Sequence, residues 1–226
     1  MACSPKYYAP NTANIPLLRT QGQVNVSFMG DANQIGVLAA YGLNDRVGLM
    51  LNGGIFRPRD QDNGNGGSGN FIEAGPGLLA PINDEFTFEI YGLLGYGNVE
   101  NHFPTPAGIG STAGDISAKL FKYGIQPNIG YRNDLFELGL GARVGAISYI
   151  DIDGDLIFEQ VDQVEYLKDN RSNFLIEPAL TARVGTDIIQ FQTQIGTSIN
   201  ISNSEFRQNK GYINFGINFT FGADSY

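Results

Sequence analysis

Residues Tyr212 to Phe221 read Y-I-N-F-G-I-N-F-T-F. Side chains alternate at period two along a strand. Ile213, Phe215, Ile217, Phe219 and Phe221 therefore share one face, and Tyr212, Asn214, Gly216, Asn218 and Thr220 share the other. The same alternation recurs upstream. Residues 35–54, 70–94, 123–145 and 174–196 each read as an alternating strand, a tight turn centred on Asn-Asp or Asp, and a second alternating strand. Asn and Asp tolerate the backbone conformations that short hairpin turns require. With flanking strands at Gly22–Gly30 and Gly211–Phe221, the pattern predicts about ten strands.

The connections alternate in length. Turns at Asn44–Arg46, Asn83–Glu85, Arg132–Asp134 and Thr186–Asp187 are short, whereas Arg57–Gly69, Glu100–Gly114, Asp151–Asn170 and Ser202–Lys210 are long and polar; Asp31–Gln34 is brief. Facing is consistent along the strands. Ile189, Phe191, Ile195 and Ile199 oppose Gln190, Gln192, Gln194 and Asn200, and Phe136, Leu138, Leu140, Ala142 and Val144 oppose Glu137, Gly139, Gly141, Arg143 and Gly145. Tyr41, Phe86, Tyr131, Phe136 and Phe221 sit on the apolar face beside short turns, where an interfacial girdle belongs. No apolar run approaches the ~20 residues of a membrane helix. Charged residues are 16% of the chain and mean hydropathy is −0.13. Low charge without long apolar runs suits a barrel, whose apolar signal is diluted by alternation.

The expected fold is all-β, a transmembrane antiparallel up-and-down barrel over residues 21–226. A short irregular periplasmic segment, residues 1–20, precedes it. The alternative is a soluble lipocalin-like cup, with the apolar faces turned inward around a ligand. Pro76, Pro127 and Pro178 recur at equivalent places within strands. Proline is normally excluded there, so bulges are expected.

The order Asn214, Gly216, Phe219, Phe221 resembles the C-terminal assembly signal of outer-membrane β-barrel proteins. The motifs E-x-G-P at 73–76, I-Q-P at 125–127 and I-E-P at 176–178, followed by glycines and an Asn-Asp or Asp turn, resemble Bacteroidota-type outer-membrane barrels. That resemblance implies both termini in the periplasm and long loops outside the cell. It also implies contact with outer-membrane lipids, insertion by the barrel assembly machinery, and a place beside another outer-membrane protein. The stretch C-S-P-K-Y-Y-A-P-N-T-A-N-I-P resembles the mature N-terminus of a bacterial lipoprotein, in which Cys3 would carry the lipid.

If the facing holds, Glu73, Glu89, Lys122, Glu137, Arg143, Glu177 and Arg183 point into the lumen. Buried charges need partners. Counting from the turn sets Glu137 against Arg183 and Arg143 against Glu177. Ten strands lie near the small end of the barrel range, so a lumen closed by polar and charged side chains is expected. A narrow channel or transporter for small solutes is the alternative.

Candidate chemistry is sparse. The net charge of −9, without basic stripes, argues against nucleic acid. Cys3 is the single cysteine, which excludes an internal disulfide. For His102 near Ser111, spacing reveals neither the orienting carboxylate nor the oxyanion hole of a nucleophilic site, and an acidic pairing of Asp60 and Asp62 with His102 is equally unsupported. Asp151, Asp153 and Asp155 carry the first spacings of a calcium loop, but its Gly at six and Glu at twelve are missing. The expectation is no enzyme, no cofactor and no metal, with a structural or accessory role.

Overall fold

A computed structural model describes residues 4–57, 64–104 and 113–222. Ten strands form the wall: β1 (Val24–Gly30), β2 (Gln34–Asn44), β3 (Val47–Phe56), β4 (Gly66–Pro81), β5 (Phe86–Phe103), β6 (Gly114–Arg132), β7 (Phe136–Gly154), β8 (Ser172–Gly185), β9 (Ile189–Thr197, with a short continuation at Ile199–Asn200) and β10 (Gly211–Phe221). Every neighbour is antiparallel in chain order, and β10 pairs with β1 to close the ring. Closure gives every strand of the wall a neighbour on both sides.

Three of the four short turns share one device. The Asn44 side chain accepts from Arg46 N and Val47 N, Asn83 from Glu85 N and Phe86 N, and Asn133 from Leu135 N and Phe136 N. An Asx turn satisfies two backbone donors where the strand reverses. This is the physical content of the repeated Asn-Asp turns.

The prolines do not act as expected. Register shifts fall at Gly42/Asn44 and Ser117/Lys119 instead. The pairing runs in one register on either side of Pro76 and of Pro127, and Pro178 sits in an unbroken run opposite Ala142. All three lie on the outward face. The ladder lapses beside each one on the following strand, as a missing N–H requires.

Strands β5 to β7, at 18 or 19 residues, are about twice as long as β1, β3 or β9. Their polarity explains the extra length. On β5 the outward residues Phe86, Phe88, Ile90, Leu94 and Tyr96 give way to Asn98, Glu100 and His102. On β6 the outward residues Asp115, Ser117 and Lys119 give way to Phe121, Tyr123, Ile125 and Ile129. The inward face changes the other way, becoming Val99, Phe103, Ile116, Ala118, Leu120, Ile147 and Tyr149. Tyr96 faces Phe121 across the strands at the changeover. From Phe86 to Tyr96, about ten residues at ~3.4 Å and a ~40° tilt give a belt of ~26 Å, matching the ~25 Å apolar band of membrane barrels. Above it the wall has an apolar inside and a polar outside, as a water-exposed domain does.

A cap packs into this upper, long-loop end. Helix α1 (Gln163–Asp169) starts on Asp162, whose side chain accepts from Val164 N and Glu165 N. Leu156, Phe158, Leu167 and Phe206 pack with the inward residues of the high wall.

Candidate functional site: a lumen filled by the N-terminal segment

All seven charges expected in the lumen are buried there. The register sets Arg183 opposite Glu137 and Glu177 opposite Arg143, the pairings read from the turn counts. Arg183 bonds Glu137, which also meets Arg132. Arg143 joins two acids, with Nη2 at 2.9 Å from Glu73 Oε1 and Nη1 at 3.3 Å from Glu177 Oε2. Lys122 Nζ completes that cluster at 2.8 Å from Glu177 Oε2. Two bases against two acids, all deeply buried, leave the cluster balanced, which is the condition for tolerating charge away from water.

The expected placement of residues 1–20 is corrected. Instead of lying outside the barrel beyond its short turns, residues 7–18 run up its axis. Residues 19–23 are knitted to the short-turn end: Gly22 N donates to Gly42 O, Gln21 N to the Asp45 carboxylate, and the Arg19 guanidinium to Asp84 O. From there the segment climbs. Leu18 N and Leu17 N donate to the two oxygens of Glu89 at 2.7 and 3.1 Å. Leu17 adopts φ 53°, the left-handed region costly for a branched side chain, and so aims consecutive N–H groups at one carboxylate. Tyr91 Oη and Asn128 Nδ2 donate to the same group.

Higher up, Arg183 Nη2 donates to Ile15 O at 2.7 Å, and Gln126 Nε2 donates to Asn14 O at 2.5 Å. The Gln194 amide both accepts from Ala13 N and donates to Ala13 O, each at 2.8 Å, as a neighbouring strand would. Asn11 Oδ1 accepts from Arg143 Nη1, and its Nδ2 donates to Glu73. Tyr8 Oη donates to Glu177 Oε1 at 2.7 Å and accepts from Lys122 Nζ at 2.6 Å. At the top, Tyr7 donates to Gln163 of α1, accepts at its carbonyl from Tyr149, and packs near Phe206. Burial pushes the Tyr7 phenol well above its usual range. Lys6 N donates to Asn101 Oδ1 on the high wall, and Asn101 Nδ2 returns a bond to Lys6 O.

The inward glycines make the room. A Cβ on Gly139 would lie 2.8 Å from Ile15 Cγ2, one on Gly48 would lie 3.2 Å from Leu18 Cδ1, and one on Gly130 would collide with Leu17. Side chains and the threaded segment together therefore occupy the lumen at these levels. Sequence reasoning missed the segment itself and its holders Gln126 and Asn128, and read Gln194 as lumenal without a partner. The holders left a signal: amides facing a lumen in excess of the charges, interleaved with glycines.

At the assembly signal, Asn214 is buried against Thr12, while Phe219 and Phe221 stack on one another with centroids 6.4 Å apart. Gly216 sits inward against Phe28 O and Met29. Cys3, Asp60, Asp62 and Ser111 lie outside the described residues. His102 is in strand β5, outward above the belt, paired with Asp115. Asp151 bonds Lys119, and Asp155 accepts from Asp115 N. No group of three or more metal-binding side chains is assembled among the described residues.

The chain matches no protein-family model and no curated protein. Similar solved structures include the translocator domain of autotransporter NalP from Neisseria meningitidis, at 9% identity and a TM-score of 0.47, covering 88% of this chain and 86% of that one. A major outer membrane protein from Thermus thermophilus follows at 14% identity and 0.40, covering 88% and 99%. LpxR from Salmonella typhimurium follows at 12% and 0.40, covering 88% and 99%. At these identities and scores the likenesses carry no argument of their own. The closed antiparallel wall and its outward apolar belt support one statement. The fold is that of an outer-membrane β-barrel.

Proposed function

We propose that this protein is a closed outer-membrane barrel with a structural or accessory role, a subunit of or partner to a larger outer-membrane assembly. It is not a solute channel. One observation carries the reading: residues 7–18 occupy the lumen and are bonded to it at nearly every level. A segment whose backbone donors and acceptors are met by buried side chains is part of the packed interior, since each bond lost without replacement costs ~1–3 kcal/mol. The cap and its aromatic cluster pack around Tyr7 and Tyr8 at the upper end of the segment. An acyl anchor on Cys3 belongs to the same proposal, on the strength of the lipoprotein-like N-terminal stretch; an unmodified N-terminal peptide by mass spectrometry of membrane-derived protein would remove the anchor.

Planar-bilayer recording tests closure. The intact barrel is expected to give no steady current. A variant lacking residues 4–18, or Gly139→Val, in which the added branches crowd Ile15, is expected to conduct while still showing heat-modifiable migration on gels. Steady current through the intact barrel would overturn the reading in favour of a narrow channel.

A further inference from the structure

We infer that the barrel is a conduit for its own N-terminus: it carries the chain through the membrane and displays whatever precedes Tyr7 on the cell surface, opposite to its short turns. The inference rests on the threaded segment described above and adds its direction. Successive contacts order the segment along the barrel axis. Gln21 and Gly22 bond to the turn-end residues Asp45 and Gly42. Leu17 and Leu18 bond to Glu89, three residues from the start of β5. Tyr8 reaches Lys122 and Glu177, level with the upper edge of the belt. Lys6 bonds Asn101, five residues beyond Tyr96 on the same strand. Asn101 lies twelve residues along β5 from Glu89, a rise of ~31 Å at ~3.4 Å per residue and ~40° tilt, more than the ~25 Å apolar band, so Lys6 stands above it.

Lys6 is half-buried inside the high wall, whose outer surface is polar. Around it the wall turns Glu100, His102, Asp115, Ser117 and Lys119 outward, a surface that lipid tails do not accommodate. Tyr7 N donates to Arg207 O, and Tyr8 forms a parallel bridge with Gln208, so the exit is stitched to a long connection. Outer-membrane barrels place long loops outside the cell and short turns in the periplasm. The N-terminus therefore leaves on the outside while Phe221 ends at the turn side, where β10 pairs with the start of β1.

Single-cysteine labelling in intact cells with a membrane-impermeant maleimide tests this, each variant also carrying Cys3→Ser so that no other thiol is present. Lys6→Cys and the long-loop control Ser204→Cys are expected to label on intact cells, and the short-turn control Asp45→Cys only after permeabilisation. In parallel, Thr12→Cys with Asn214→Cys, whose side chains touch in the lumen, is expected to cross-link under mild oxidation and so reports threading by itself. If the cross-link forms and Ser204→Cys labels while Lys6→Cys stays silent until permeabilisation, display is overturned and threading survives. Labelling of Asp45→Cys on intact cells, with Ser204→Cys silent, overturns display by inverting the barrel. Failure of the cross-link in folded barrels overturns threading itself, and display with it.

Discussion

At the scale of single residues, the lumen is organised by which charges share partners. Arg143 is the hinge of the larger cluster, since Glu73, Glu177 and Asn11 all converge on its guanidinium. Arg143→Met leaves Glu73 buried with only amide donors from Asn11 and Asn52. Removing one partner of a buried ion pair costs ~3–5 kcal/mol. Urea unfolding of the barrel in lipid vesicles is expected to show a loss of that order. Lys119→Met, which breaks an exposed pair with Asp151 on the outer wall, is expected to leave the midpoint where it was. Equal losses in the two variants would show that the lumen is wet enough to screen its charges.

At the scale of elements, each of the long strands carries two environments in series. Below Tyr96 and Phe121 the apolar side faces out; above them it faces in, and on β5 and β6 the period of two runs on through the change, while β7 breaks it near Asp151. Leu94→Arg, outward within the belt, is expected to cost ~2–4 kcal/mol in the same vesicle unfolding experiment, depending on depth. Glu100→Arg, six residues along the same face, is expected to be neutral. A neutral Leu94→Arg would move the membrane boundary.

The same inversion decides what could be read from the sequence. Strand count, turns, facing and the cross-strand ion pairs were legible because alternation and Asn-Asp turns are local signals. The upper ends of β5 to β7 were not, and read as loops from Glu100 and Asp151, because exposed Asn98, Glu100 and His102 look like a polar connection once the apolar side has changed face. The segment at 7–18 was illegible for a different reason. It has no regular period, because its hydrogen bonds go to lumenal side chains and not to a neighbouring backbone, so nothing in its own order announces a partner. The prolines misled because a missing N–H was read as a distortion, whereas the ladder simply omits one bond.

At the scale of the whole molecule, wall, cap and core come from three distant parts of one chain. The wall is antiparallel and sequential, the cap folds from the connections after β7 and β9, and the core is supplied by residues 7–18. This division explains why a polar lumen with so many inward glycines is stable. The space they leave is occupied by Ile15, Leu17 and Leu18, three apolar side chains that are almost wholly buried. The interior is thus a small hydrophobic core wrapped in polar groups, inside a wall that is apolar on its outer surface.

The pairing of Val24–Gly30 with Gly211–Phe221 has a further consequence. It closes a ring through which an earlier part of the same chain passes, which makes the molecule a lasso. Folded chains rarely thread their own loops, so the order of events matters here. Either the tail slides in after the ring is shut, or the last strand zips onto the first around a tail already in place. A folded domain fused ahead of Lys6 separates the two histories: too wide to slide through, it reaches the far side of the membrane only if the noose is drawn last.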